Sequence, residues 1–225
     1  MSKPKLLVFA SGSAEGGGSG FENLVLRTMD GVLDAVIVAV VSNHKDGGVR
    51  KRADMLKVPF IYFPKPWGKE QYQQIVESSG ADFSALSGWL KNIVGLDPRS
   101  TFNIHPGPLP KFGGAGMYGH HVHEAVVHEF KRGTVTHSAV CMHFVTAEYD
   151  RGPVFFTCRV PIHTDDTPES LGQRINRCEH YFQPEITDLI VHEEIRWDGK
   201  NPYSLVYPRG YNQTRYYNDS ENHPR

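Results

Sequence analysis

Leu33-Asp-Ala-Val-Ile-Val-Ala-Val-Val41 is an almost continuous apolar run, and such runs are typical of strands covered on both faces in a parallel sheet. Upstream, Lys5-Leu-Leu-Val-Phe-Ala10 predicts a second buried strand. Downstream, helical patterns alternate with short strands, with helices predicted over 21–29, 49–56 and 69–79 and strands over 60–63 and 83–87. This alternation predicts right-handed βαβ units. We therefore expect an α/β fold with a Rossmann-like, mostly parallel sheet and helices on both of its faces.

The second half of the chain changes character. After a predicted helix over 118–130, strand-like runs over 134–145 and 154–161 indicate an antiparallel hairpin added to the sheet. Thr167 and Pro168 begin a further helix, which Pro184 should kink or end. The sequence has no internal repeat, so we expect one domain over 1–200, followed by a C-terminal surface extension over 201–225.

Composition excludes several classes of protein. The 225 residues hold 24 Lys and Arg against 25 Asp and Glu, a net charge of -1, which argues against a protein bound mainly to nucleic-acid phosphates. Three widely spaced cysteines provide no disulfide framework, and no apolar run reaches the length of a membrane span. We expect a cytoplasmic protein whose partners are small molecules, with neither nucleic acid nor membrane among them.

Phe102-Asn-Ile-His-Pro-Gly-Pro-Leu-Pro110 carries the chemistry. On an extended strand, Asn103 and His105 point to the same side, and the proline after His105 prevents a helix there. A carboxylate, Asp150, follows in a turn farther along. A hydrogen-bond donor beside a titratable ring suits a reaction in which a carbonyl oxygen gains charge while an amine loses a proton. The alternative is a polar strand end and an ordinary Asp-Arg-Gly turn.

Two further groups are candidates for binding. The glycine-rich loop Ser11–Gly20 lies between a strand and a helix, where backbone N–H groups and the helix dipole favour phosphate; the alternative is a plain connector. It matches neither nucleotide-binding glycine motif, so neither a dinucleotide nor ATP is expected. Asn176 and Glu179, three apart on a helix, would suit sugar hydroxyls or a solvated polar face.

Four histidines cluster between the predicted catalytic residues. Because they have no cysteine or acidic partner at ligand spacing apart from Glu124, we favour a partly solvated helix face over a metal site. The histidines are His120, His121, His123 and His128.

Taken together, these residues resemble the folate-dependent formyltransferases from Lys5 to about Glu193. The resemblance is strongest over Phe102–Gly114, continued by Gly116-Met-Tyr-Gly119, and over His143–Pro153. It implies that 10-formyltetrahydrofolate is a co-substrate and that no metal takes part. The catalytic residues implied are Asn103, His105 and Asp150. The acceptor substrate would be bound by Gly18, Ser19, Gly20, Lys69, Asn176 and Glu179, and the folate by Trp89, Leu90, Lys91, Asn92 and Ile93.

The function implied by this resemblance is formyl transfer from 10-formyltetrahydrofolate to the amine of glycinamide ribonucleotide, in purine synthesis. Asn103 and a protonated His105 would donate hydrogen bonds to the oxyanion, while Asp150 keeps His105 charged. Other acceptors stay open, such as a nucleotide-linked amino sugar or methionyl-tRNA. A non-catalytic folate- or nucleotide-binding homologue, a deformylating hydrolase and a metal-dependent hydrolase are the remaining alternatives, and a homodimer is also open.

Overall fold

The computed structural model describes residues 2–218, which form a single eight-stranded sheet with five helices. In chain order the elements are β1 (Lys5–Phe9), α1 (Ser19–Met29), β2 (Val36–Ser42), α2 (Gly48–Leu56), β3 (Phe60–Tyr62), α3 (Lys69–Ser79), β4 (Phe83–Leu86), β5 (Thr101–His105), α4 (His120–Lys131), β6 (His137–Phe144), β7 (Val154–Pro161), α5 (Pro168–Val191) and β8 (Thr214–Tyr216).

The strands lie in the order β3-β2-β1-β4-β5-β6-β7-β8. All neighbours are parallel except β6, which is antiparallel to both β5 and β7. The predicted α/β fold with an added antiparallel pair is confirmed. Because the chain places β2 on one side of β1 and β4 on the other, the carboxyl ends of β1 and β4 form a switch point, where open α/β sheets bind ligands.

Alternate side chains of β1 enter two separate cores. Leu6 and Val8 pack with α1, α2, α4 and α5, whereas Leu7 and Phe9 pack with Tyr72 of α3 and Trp89. This alternation is the period of a strand, and it explains why the predicted strands read as nearly continuous apolar runs. Helices therefore cover both faces of the sheet.

The boundaries of two predicted elements move. Helix α4 begins at His120, after Gly119, rather than at 118. At its other end Gly133 adopts a left-handed conformation and the Thr134 N–H donates to the Glu129 carbonyl, so this segment closes the helix and β6 begins only at His137.

Pro184 does not end α5, which continues to Val191, so of the two outcomes expected at this proline, a kink or an end, the end does not occur. A proline has no N–H and leaves the carbonyl one turn earlier without its helical partner. Here the Asn23 amide of α1 donates to that carbonyl, the one of His180, at 2.7 Å. The expected helix start is confirmed, since Thr167 and Ser170 form a reciprocal cap around Pro168.

The C-terminal interval 201–225, expected to be a surface extension, contributes the edge strand β8, which pairs with β7. Tyr217 is buried, and the Tyr211 hydroxyl donates to the Phe155 carbonyl at 3.0 Å. Backbone pairing and tyrosine burial thus attach the described part of this interval to the edge of the sheet. Residues 219–225 lie outside the described residues.

Candidate active site

A cleft of about 460 Å³ opens at the switch point. It is bounded by the start of α1, the segments that follow β4 and β5, the loop 114–119, the start of α4 and one face of α5. Asn103, His105 and Asp150 line one part of it, while Gly18, Ser19 and Gly20 line another. The fold thus brings together residues that are distant in sequence.

His105 and Asp150 face each other at the end of β5. Nδ1 of His105 lies 3.7 Å from Oδ2 of Asp150. Nε2 of His105 lies 2.7 Å from the Phe112 carbonyl oxygen, and because a carbonyl only accepts, this nitrogen carries the proton. In the neutral ring Nδ1 therefore holds the lone pair, as a proton acceptor requires.

A second buried imidazole, that of His143, completes this group. Its Nε2 lies 3.1 Å from Nδ2 of Asn103 and 3.4 Å from Oδ1 of Asp150, and its Nδ1 donates to the Phe144 carbonyl at 2.8 Å. Asn103 and His143 are direct cross-strand partners in β5 and β6. Our sequence reasoning did not select His143, although it opens the second resembling segment, because the register of the two strands cannot be read from the sequence.

The charges at the site differ from the expectation. Burial lowers the pKa of His105, and this effect outweighs the upward shift caused by Asp150. This direction runs against the expectation that Asp150 keeps His105 protonated. The pKa of Asp150 is itself lowered: its burial opposes ionisation, but contacts with His143, His105 and the Gly114 N–H outweigh that opposition. These two directions favour a neutral imidazole beside a carboxylate at neutral pH.

The Asp150 carboxylate is held from both sides of its turn. Its backbone has a φ of 53°, a left-handed conformation that Asp tolerates better than most residues. The Gly114 N–H donates to Oδ2 at 2.9 Å. Any Cβ at Gly113 would lie 2.9 Å from the Cβ of Asp150, so glycine is required where the two loops meet.

The predicted phosphate site lies at the start of α1. Gly18 precedes the helix with a φ of 82°, and no side chain caps the first turn, so its N–H groups and the helix dipole are available to an anion. Nε2 of His180 lies 3.3 Å from Oγ of Ser19. Lys69 is not brought to this point: it begins α3 and packs against Gly95, outside the cleft lining.

Asn176 and Glu179 both line the cleft on α5. Burial raises the pKa of Glu179 to about 7, with Asn176 opposing the shift. A carboxyl that is half ionised near neutrality can both donate and accept hydrogen bonds, which suits sugar hydroxyls. The polar pair thus belongs to the cleft rather than to an outer helix face.

The five residues predicted to bind the folate line two adjoining cavities. Trp89 and Leu90 line the cleft, whereas Lys91, Asn92 and Ile93 line a small adjoining cavity of about 50 Å³ together with Trp89, Asn103 and Asp150. The Trp89 indole is largely committed to the core, since it donates to the Tyr72 hydroxyl at 3.0 Å and stacks on Phe63. The Lys91 ammonium lies 4.8 Å from the centre of the Trp67 ring.

The histidines of α4 separate into two environments. His120 and His121 are exposed and each lies 3.3 Å from a Glu124 oxygen, whereas His123 is buried in the cleft wall. Within residues 2–218, no group of three or more His, Cys, Asp or Glu side chains could hold a metal ion. Over the same residues, no helix has the length and apolar character needed to cross a membrane. Cys141, Cys158 and Cys178 are buried and free.

Comparison with known proteins gives consistent matches. The formyl transferase family model matches residues 4–187. The chain is 34% identical over 206 residues to the chloroplastic phosphoribosylglycinamide formyltransferase of Arabidopsis thaliana, covering 87% of this chain and 68% of that protein. The phosphoribosylglycinamide formyltransferase of Bacillus subtilis (strain 168) is 30% identical over 197 residues, 83% of this chain and 94% of that protein.

Among solved structures, the phosphoribosylglycinamide formyltransferase from Anaplasma phagocytophilum superposes with a TM-score of 0.77. The superposition covers 96% of this chain and 100% of that one, at 24% identity. This likeness concerns the fold alone.

Proposed function

The chain belongs to the formyl transferase family, and we propose that it transfers the formyl group of 10-formyltetrahydrofolate to the amine of glycinamide ribonucleotide, in purine synthesis. The observation that carries the proposal is the cleft, which joins the Asn103, His105 and Asp150 group to an uncapped helix N-terminus. An acceptor with a phosphate at one end and an amine at the other fits these two features. We assign this activity to a single domain, expected over 1–200, with whose sheet the strand β8 of the C-terminal interval also pairs.

The catalytic residues have separate roles in the reaction. Asn103 donates one amide hydrogen to His143, and its second hydrogen would donate to the formyl oxygen as the amine attacks and that oxygen gains charge. Removing such a donor typically lowers turnover by about 10²- to 10³-fold. His143 thereby fixes the orientation of the Asn103 amide.

His105 handles the proton. Because its Nε2–H is committed to the Phe112 carbonyl, Nδ1 takes the proton from the attacking amine, either directly or through water. The imidazolium that forms lies beside the Asp150 carboxylate, which stabilises it. His105 then returns the proton to the folate nitrogen as the bond between that nitrogen and the formyl carbon breaks and the carbonyl re-forms.

The binding roles follow from position. The N–H groups at Ser19 and Gly20 hold the phosphate, Glu179 and Asn176 hold the ribose hydroxyls, and Trp89 to Ile93 border the folate. Lys69 is left out of the phosphate site, since it does not line the cleft. The chemistry needs no metal in this scheme.

One assay tests the proposal: 10-formyltetrahydrofolate is offered with glycinamide ribonucleotide, a nucleotide-linked amino sugar and methionyl-tRNA in parallel reactions. We expect formylation of glycinamide ribonucleotide alone. Formylation of another acceptor would reassign the substrate while leaving the chemistry in place. Release of formate without an acceptor would indicate a deformylating hydrolase, and folate binding without turnover would indicate a binding protein.

The proposal also includes the cellular location of the protein and its assembly as a homodimer. Three free, buried cysteines suit a reducing compartment, and we propose the cytoplasm, although the name of the Arabidopsis relative carries the word chloroplastic. Imaging of the full-length chain tests this. A homodimer is tested by sedimentation of the purified protein.

A further inference from the structure

His123 is a buried polar side chain in the cleft wall for which the mechanism above has no use. Only 8% of the residue is exposed, and it lies on α4 against Gly172 of α5. A Cβ at Gly172 would lie 2.9 Å from Cδ2 and 3.2 Å from Nε2 of the ring. Glycine at 172 therefore lets the Cδ2–Nε2 edge of the imidazole approach α5 closely while the residue still borders the cleft.

The protonation of this ring follows from its surroundings. Nδ1 is fully buried, and among the described residues it has no hydrogen-bond partner. Since a buried N–H without a partner is rarer in proteins than a buried acceptor without one, we place the lone pair on Nδ1 and the proton on Nε2. Burial, and next the Coulombic effect of the nearby rings of His120 and His105, lowers the pKa of His123 to about 4. His123 is thus an uncharged N–H donor at neutral pH.

Its position lies between the two ends of the acceptor site. Gly172, Asn176 and Glu179 share one face of α5, and Glu179 is seven residues, or about 10 Å along the helix axis, from Gly172. On the other side, Val122 and the His105 ring both border Gly107. His123 thus shares the wall of one cleft with the sugar-binding residues on α5 and with His105.

We propose that Nε2–H of His123 donates a hydrogen bond to the amide carbonyl of glycinamide ribonucleotide, the group between its ribose and its amine. This inference rests on the proposed function. A neutral donor suits the place, because a cation there would oppose the positive charge that His105 acquires during the reaction. His123 would therefore bind and orient the acceptor and take no part in proton transfer.

The test compares His123→Leu with His123→Gln, which keeps an N–H donor, and with His121→Leu, a control on the exposed face of the same helix. We expect His123→Leu to raise the KM for glycinamide ribonucleotide by about three- to tenfold, as the loss of one neutral hydrogen bond predicts. The KM for the folate should not change. His123→Gln should recover most of the loss, and His121→Leu should match the wild type.

A second measurement uses the thioamide analogue of the acceptor, whose sulfur accepts hydrogen bonds weakly. The analogue should raise the KM of the wild type and have no further effect on His123→Leu. If His123→Leu raises the KM for the folate as well as for glycinamide ribonucleotide, the inference is overturned and His123 has a packing role. The same conclusion follows if His123→Leu raises the KM for the amide and for the thioamide by the same factor. Absence of wild-type turnover overturns the proposed function as well, whereas turnover with an unchanged acceptor KM in His123→Leu overturns this inference alone.

Discussion

Asp150→Asn tests whether the carboxylate acts by stabilising charge on His105. The substitution removes the negative charge and preserves the size of the side chain. In the wild type the Gly114 N–H donates to Oδ2 of Asp150 at 2.9 Å, and the amide oxygen of asparagine can still accept this hydrogen bond. Nδ1 of His105 lies 3.7 Å from the same Oδ2. Two unit charges at about 4 Å attract each other by about 4 kcal/mol at an effective dielectric constant of 20.

This attraction exists only once His105 is protonated, so it stabilises the transition state more than the ground state. Each 1.36 kcal/mol is tenfold in rate, and we expect the kcat of Asp150→Asn to fall by about 10²- to 10³-fold. Both KM values should stay within about threefold of wild type. The acidic limb of the pH profile should also move to lower pH, because Asp150 raises the pKa of His105 against the effect of burial.

The assay is steady-state formyl transfer with each substrate varied in turn, supported by single-turnover measurements that separate chemistry from product release. Urea unfolding shows whether the variant is intact, and Asp165→Asn, at an exposed position, is the matched control for loss of one carboxylate. A kcat within threefold of wild type together with a raised KM would refute the reasoning, since Asp150 would then act on binding.

Three further predictions follow from single contacts. Because burial lowers the pKa of His105 below its usual 6.5, kcat at saturating substrates should be level above pH 6.5 and fall on acidification; a fall as pH rises instead would mean that the protonated ring is required. Asn23→Ala should lower the free energy of unfolding in urea by about 1–2 kcal/mol, because it leaves the partly buried His180 carbonyl without its donor. Adding Pro184→Ala should restore most of this loss, whereas additive losses would contradict the pairing. Gly20→Ala adds a Cβ that would collide with a buried serine hydroxyl, so it should lower the free energy of unfolding by about 1–3 kcal/mol and raise the KM for the acceptor. Gly16→Ala adds a Cβ whose nearest atom lies at 3.9 Å, so it should change neither the stability nor this KM.

Much of the fold could be predicted from the sequence because its signals are local. Apolar runs such as Leu33–Val41 mark strands buried on both faces, and Thr167 with Pro168 marks a helix start. The continuation of α5 past Pro184 could not be predicted, because the donor to the freed carbonyl comes from Asn23, 161 residues before the proline. The edge strand β8 escaped prediction for a similar reason, since it has three residues and depends on β7 for its pairing.

The residues of the candidate site likewise separate into those that a local sequence pattern predicts and those that depend on distant contacts. Asn103 and His105 share a strand face by simple alternation, so their proximity could be predicted. The meeting of Asp150 with His105 was expected from the resemblance alone. His143 needed the register of β5 against β6, and the protonation of His105 needed its burial, neither of which the sequence provides. Lys69 was placed by resemblance and lies outside the cleft.

Three positions near the catalytic groups require glycine for packing, which is separate from any role of glycine in phosphate binding. A Cβ at Gly107 would lie 3.3 Å from Nε2 of His105, one at Gly113 would lie 2.9 Å from the Cβ of Asp150, and one at Gly172 would lie 2.9 Å from the His123 ring. At each of these positions the glycine lets a polar side chain of the cleft wall approach the backbone closely, where the Cβ of any other residue would crowd it. Since the Coulombic stabilisation of a protonated His105 depends on its separation of 3.7 Å from Asp150, a side chain added at Gly107 or Gly113 would displace one of these two groups and weaken that stabilisation.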